Sequence, residues 1–209
     1  MSEKVGFFGG TFDPPHLGHL SLARYATEQM ELGRLLWVLT PISPFKNQTH
    51  ASLEQRIHMV KLITDELAGS EYCSIDVERE PPYYTCDTAR LIKQSLPAGD
   101  ALYFLLGADS LEGLPKWYHA ETLVNELLDG LIVARRPGTP LDLTQLNERM
   151  PGINQKITFV DMPGIDISSR ALRKRIKSGK SAKKYMPISV YQYIQESNLY
   201  ADEIEEHHD

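Results

Sequence analysis

Cysteine is nearly absent. Cys73 and Cys86 are the only two in 209 residues, and they show no C-x-x-C or zinc-ligand spacing, which excludes a disulfide scaffold or a cysteine-held zinc fold. They read as reduced thiols, buried or partly buried. Long apolar runs are also missing, since no stretch approaches the ~18 residues of a membrane span. The apolar run from Val5 to Phe8 is cut by Gly9 and Gly10, too early for the core of a secretory leader, so a cytoplasmic protein is expected. Basic residues are outnumbered, 22 to 28, for a net charge of −6. That balance argues against a nucleic-acid-coating surface but not against a small anion held in a locally positive cleft. Internal repeats and low-complexity linkers are absent too. A single domain is expected, because a chain of this length can bury roughly 70% of its unfolded surface without a staple.

What is present is an alternation of short apolar runs with amphipathic segments, the pattern of stacked βαβ units. Residues 5–9, 35–39, 73–77, 101–106, 131–134 and 157–160 read as strands, with the near-continuous apolar character of a sheet covered on both faces. Leu22, Ala23, Ala26 and Met30 share one helical face, and Leu53, Ile57, Val60 and Leu67 share another. Ser52 followed by Gln55 is a capping-box signal. Leu91, Ile92 and Leu96 precede Pro97 and Gly99, a helix stop. Residues 137–151 read as a loop or weak helix, 168–177 and 187–196 as two closing helices, and the acidic residues 202–209 as a frayed end. The expectation is an α/β fold, a Rossmann-like doubly wound parallel sheet over residues 1–161 with a small helical C-terminal extension over 162–209. Ligands then bind beyond the carboxyl ends of the strands, in the loops after Gly9, Leu39, Val77, Leu106 and Ala134.

The loop after the first strand reads Gly9-Gly10-Thr11-Phe12-Asp13-Pro14-Pro15-His16-Leu17-Gly18-His19. It matches neither the dinucleotide fingerprint nor a P-loop. Gly179-Lys180-Ser181 ends like a P-loop, but Lys174 stands where the first glycine is required. In the first loop, Gly9 and Gly10 permit close backbone approach to an anion, and Gly18 and His19 fall in the opening turn of a helix, where N–H groups favour phosphate. His16 and His19 are placed to donate hydrogen bonds to phosphate oxygens as charge builds. Capping or packing histidines are the plainer alternative, and a zinc pair would lack an evident third ligand. Ser168, opening a late helix, and Arg173 one turn on form a second candidate anion site.

Together these residues resemble the nucleotidyltransferase superfamily with the H-x-G-H signature, and within it the bacterial nicotinate mononucleotide adenylyltransferases. The resemblance runs through Gly10-Thr11-Phe12-Asp13-Pro14, His16-Leu17-Gly18-His19, Ser52 with Gln55-Arg56, Tyr84-Thr85 with Thr88, Gly107-Ala108-Asp109-Ser110-Leu111, Trp117-Tyr118, Arg135-Arg136-Pro137-Gly138, and Ile167-Ser168-Ser169 with Leu172-Arg173. Three positions depart from the family pattern: the substrate loop reads Ser43-Pro44-Phe45-Lys46, Arg170 replaces a threonine, and Ala89 a leucine.

The resemblance implies direct adenylyl transfer from ATP to nicotinate mononucleotide, a step of NAD biosynthesis, with Mg²⁺ carried by the phosphates rather than by protein side chains. It implies that His16 and His19 act on the transferring phosphate and that Lys46 and Arg173 contact phosphates. Ser168 and the backbone of Gly9, Gly10, Thr11 and Phe12 would line the ATP side. Gly107 and Asp109 would hold adenosine, Arg136 would sit near ATP, and Thr85, Trp117 and Tyr118 would form the nicotinate end. Neither nucleic acid nor membrane is an expected partner. The rival readings are another adenylyl- or cytidylyltransferase, such as the pantetheine-phosphate branch, a fragment of an aminoacyl-tRNA synthetase, and a nucleotide-binding sensor without turnover.

Overall fold

A computed structural model describes residues 2–43, 48–135, 143–164 and 167–201. Six strands run β1 (Lys4–Gly10), β2 (Arg34–Leu39), β3 (Ser70–Cys73), β4 (Ala101–Gly107), β5 (Gly130–Arg135) and β6 (Ile157–Asp161). All pair in parallel, in the order β3-β2-β1-β4-β5-β6. This is the α/β doubly wound arrangement, and its strand order reverses between β1 and β4. The helices are α1 (Leu17–Met30), α2 (Leu53–Thr64), α3 (Thr85–Ser95), α4 (Ala108–Gly113), the single turn α5 (Ala120–Thr122), α6 (Thr144–Arg149), α7 (Ser169–Lys177) and α8 (Ile188–Glu196).

Strand alternation divides the interior in two. Phe8, Leu35, Trp37, Leu39, Leu105 and Ile132 face one side, where buried residues of α1, α2, α7 and α8 cover them. Phe7, Leu36, Val38, Leu102, Phe104, Leu106 and Leu131 face the other, under α3, α4, α6 and the segment around Leu123 and Val124. Each face thus has its own apolar layer, as parallel strands buried on both sides require. The Ser52 capping box forms, Gln55 N donating to Ser52 Oγ at 3.2 Å and Ser52 N to Gln55 Oε1 at 2.8 Å.

One strand differs from expectation. The apolar run at 73–77 suggests a strand, but β3 ends at Cys73, and Val77 N turns back to Ser74 O at 2.7 Å. β3 is an edge strand held only by β2, so it needs no continuous apolar run. The residues after it form a turn around buried Asp76, whose Oδ1 accepts from Thr88 Oγ1 at 2.7 Å and Arg79 Nε at 2.9 Å. No helix among the described residues is long and apolar enough to cross a membrane.

Candidate active site

Beyond the carboxyl ends of the central strands lies an open cleft of about 1140 Å³. Gly9 to Asp13, His16 and His19 line it from the first loop, Gly107 and Asp109 from the β4 end, and Ser168, Arg170 and Arg173 from the start of α7. The cleft therefore joins the residues of the first loop, the Gly107–Asp109 pair and the late serine–arginine motif, which lie far apart in sequence.

The loop conformation follows from its residues. Phe12 has a positive φ of 44°, an unfavourable region for a bulky side chain. Its ring is clamped between neighbours, 5.5 Å from Phe8, 5.3 Å from Trp37 and 5.2 Å from His19. Gly10 makes room for it, since a Cβ there would meet the Phe12 ring at 3.1 Å. Gly18 does the same for His16, whose Nδ1 and Cε1 would lie 3.0 Å from an added Cβ. The glycine of the H-x-G-H signature thus lets the first imidazole lie against the helix backbone.

The two imidazoles stack 3.7 Å apart at 23°. His16 N donates to His19 Nδ1 at 3.1 Å, so the neutral His19 ring carries its proton on Nε2. His16 caps α1 and is buried, and its Nδ1 has no hydrogen-bond partner among the described residues. Burial pushes the His16 imidazole down to about 4, so it is neutral at neutral pH and acts as a hydrogen-bonding group rather than a cation.

That depression carries a stability signature. Below its unfolded value near 6.5 the unfolded chain takes up a proton that the folded imidazole refuses until about pH 4. Stability is therefore present above pH 6.5 and lost as pH falls towards 4, by an amount of order 3 kcal/mol. Melting curves between pH 7 and 4 should slope more steeply for the native chain than for His16→Asn, whereas parallel slopes would show that His16 is not buried neutral.

Asp13 is the hub of the loop. Its carboxylate accepts from His50 N at 2.8 Å, Ala51 N at 3.1 Å and Tyr200 Oη at 2.8 Å. Arg173 Nη1 donates to Asp13 O at 2.6 Å and lies 3.8 Å from Oδ2, while His50 Nδ1 lies 3.5 Å from Oδ2. Burial raises the Asp13 carboxyl, but the bonds from His50, Tyr200 and Ala51 and the charge of Arg173 outweigh it and hold the group below its ordinary value. Arg56, buried on α2, binds the loop from behind, with Nη1 donating to Thr11 O and Thr40 O at 3.1 Å each and Nη2 to Pro41 O at 2.8 Å. Ser169 Oγ, at 2.8 Å from Pro14 O, ties α7 to the same loop. Ser168 Oγ caps α7 by accepting from Ala171 N at 3.2 Å.

The residues expected at the nicotinate end lie elsewhere. Thr85 is the first residue of α3, and Tyr84 stacks on exposed Tyr118 at 4.2 Å, bringing the Tyr84-Thr85 and Trp117-Tyr118 pairs together. They do not line the cleft at the first loop. Trp117 instead sits edge-on to Phe104 at 6.0 Å, and the Phe104 ring reaches Gly9, where a Cβ would meet it at 3.9 Å. Lys46 and Arg136 lie outside the described residues.

Residues 7–175 match the cytidylyltransferase-like family model. A Bacillus subtilis nicotinate-nucleotide adenylyltransferase is 36% identical over 199 residues, spanning 95% of this chain and 98% of that protein. The chain belongs to the nicotinate-nucleotide adenylyltransferase family. A Dehalococcoides mccartyi protein named a probable nicotinate-nucleotide adenylyltransferase is likewise 36% identical, over 96% of this chain and 98% of its own length. The fold is shared with the Plasmodium falciparum nicotinic acid mononucleotide adenylyltransferase complexed with NaAD, at a TM-score of 0.77 and 22% identity over 95% of this chain and 97% of that one.

In the sequence Asp13 and Arg56 stand within recognisable motifs, whereas His50 and Tyr200 do not. For Arg56 a signal existed: it stands three residues after Leu53 and four before Val60, on the buried stripe of α2. Tyr200 offered none, because its partner is 187 residues away.

Proposed function

We propose that this chain transfers the adenylyl group of ATP to nicotinate mononucleotide, giving nicotinate adenine dinucleotide and pyrophosphate. The observation that carries the reading is the stacked His16–His19 pair at the start of α1, facing a cleft that also holds Gly107, Asp109 and Arg173. A 5′-phosphate oxygen of the mononucleotide attacks the α-phosphorus of ATP, and the bond to the β-phosphate oxygen breaks in line. Pyrophosphate leaves with that electron pair. The attacking phosphate is already anionic at neutral pH, so no general base is required, and the protein acts by positioning and charge stabilisation.

His19 Nε2–H and the N–H groups of Leu17 and Gly18 at the start of α1 donate to the transferring phosphate, with His16 beside them; the N–H groups of His19 and Leu20 are bonded to His16 O. Arg173, anchored on Asp13 by one of its five N–H groups, has others for the polyphosphate. The backbone of Gly9 to Phe12 and Ser168 line the ATP side, and Gly107 and Asp109 take the adenosine. Lys46 and Arg136 are assigned to phosphate and ATP contacts on the family resemblance. The first loop presents N–H groups and imidazoles, and Asp13 is already engaged by its partners. This donor set fits Mg²⁺ carried on the triphosphate, where it neutralises phosphate charge.

Thr85, Trp117 and Tyr118 are assigned to the pyridine ring. At the start of α3, Asp87 N and Thr88 N donate back to Tyr84 O, whereas the N–H groups of Thr85 and Cys86 lie ahead of the first helical bond and suit the nicotinate carboxylate. The nearby acid Asp87 is occupied by Arg90 at 2.7 Å. A nicotinamide placed there would exchange charge-assisted bonds for an N–H₂ facing donors. Pyrophosphate release with ATP and a mononucleotide panel should give a kcat/KM at least about tenfold higher for nicotinate than for nicotinamide mononucleotide, the equivalent of roughly 1.4 kcal/mol. Equal values would show that the pocket reads the ring without its charge. Absence of turnover with both would refute the function.

A further inference from the structure

At Asp13 four segments remote in sequence meet: the first loop itself, residues His50 and Ala51 ahead of α2, Arg173 on α7, and Tyr200 near the C-terminus. Tyr200 reaches it by a backbone route with two left-handed residues, Asn198 at φ 48° and Tyr200 itself at φ 63°. α8 fixes the start of that route. It packs on α2, with the Tyr193 ring tilted against His58 at 4.2 Å, and its Val190 and Ile194 are buried in the layer that also holds Phe8 and Phe12. The left-handed angle of Tyr200, unfavourable for a bulky side chain and kept at a part-buried contact, points to a role for the contact.

We propose that Tyr200 is a positioning residue for adenylyl transfer: its hydroxyl, donated to Asp13 Oδ1, holds the first loop in the geometry that presents His16 and His19. The proposal rests on the function given above. Burial and the Asp13 carboxylate raise the Tyr200 hydroxyl far above its ordinary range, so it remains a donor at every working pH. Among the described residues Oδ1 has two donors, Tyr200 Oη and Ala51 N. Without the hydroxyl, that oxygen would lose one of them, three residues before His16. Small displacements of a reacting group have large effects on rate, so the loss should be read in turnover more than in folding.

The test is Tyr200→Phe in the full chain, which keeps the ring and removes the hydroxyl. Expected are a fall in kcat of about tenfold or more, a KM for the mononucleotide close to that of the native chain, and faster amide exchange at His50, Ala51 and the first loop, with the melting temperature little changed. In the Asp13→Asn background Tyr200→Phe should add almost nothing, because residues acting through one contact are not additive. Native kcat with unaltered loop exchange, or losses that add in the double variant, would overturn the proposal. Amide exchange needs no substrate, so it decides the role of Tyr200 even if nicotinate mononucleotide proves not to be the acceptor. Turnover of the native chain tests the function separately.

Discussion

Replacing His19 with alanine is expected to reduce kcat by roughly 100- to 1000-fold, the loss of about 2.7–4 kcal/mol of transition-state stabilisation, with a much smaller change in ATP affinity. The asymmetry follows from geometry. Because His16 N occupies His19 Nδ1, the ring has a single outward donor, Nε2–H, held at the mouth of α1. Negative charge on the non-bridging α-phosphate oxygens is redistributed as pyrophosphate departs, so a fixed donor there contributes more to the transition state than to the ground state. The ring also packs on Phe12 at 5.2 Å, so unfolding must be followed alongside kinetics. A folded His19→Ala enzyme with kcat near native would remove His19 from the chemistry.

The second large effect concerns stability. Arg56→Met should destabilise the fold by roughly 3–5 kcal/mol, a fall in melting temperature of about 6–20 °C. The side chain is 2% exposed and serves carbonyls at Thr11, Thr40 and Pro41. A methionine of similar length fills the space but leaves three acceptors without their donor. It also removes a cation that helps balance Asp13, since burial lowers the Arg56 guanidinium while Asp13 favours its charge. Arg56→Lys should recover only part of the loss, because an ammonium lacks the planar fork that spans three carbonyls. Calorimetry showing Arg56→Met within 2 °C of native, less than the roughly 2–4 °C that a single kcal/mol produces at this size, would show that water or relaxation replaces the guanidinium.

Much of the fold was legible because parallel strands buried on both faces leave an unambiguous trace. β1, β2, β4 and β5 appear as apolar runs, and the Ser52 capping box marks the start of α2 within one residue. β3 was misplaced because an edge strand lacks that trace, while the turn after it mimics one with Ile75 and Val77. The phosphate loop was legible because glycines, prolines and histidines rarely crowd together without a backbone reason. What supports that loop was not: Asp13, Arg56 and Tyr200 act through contacts between segments 15 to 187 residues apart, and local pattern carries no record of such distances.

The sheet described above keeps its two apolar layers apart, and this bears on how such an enzyme can be remodelled. Phe8, Phe12 and Trp37 support the loop of phosphate chemistry from one side, whereas Phe7 and Phe104, stacked at 4.6 Å, support Trp117 from the other. Adjacent residues of one strand thus serve different tasks. A substitution behind Trp117 would reach the proposed ring site through a layer separate from the one beneath His19, and would touch the first loop where the Phe104 ring faces Gly9. Selectivity for the acceptor can diverge along a lineage, or in a designed library, while the transfer machinery is inherited unchanged.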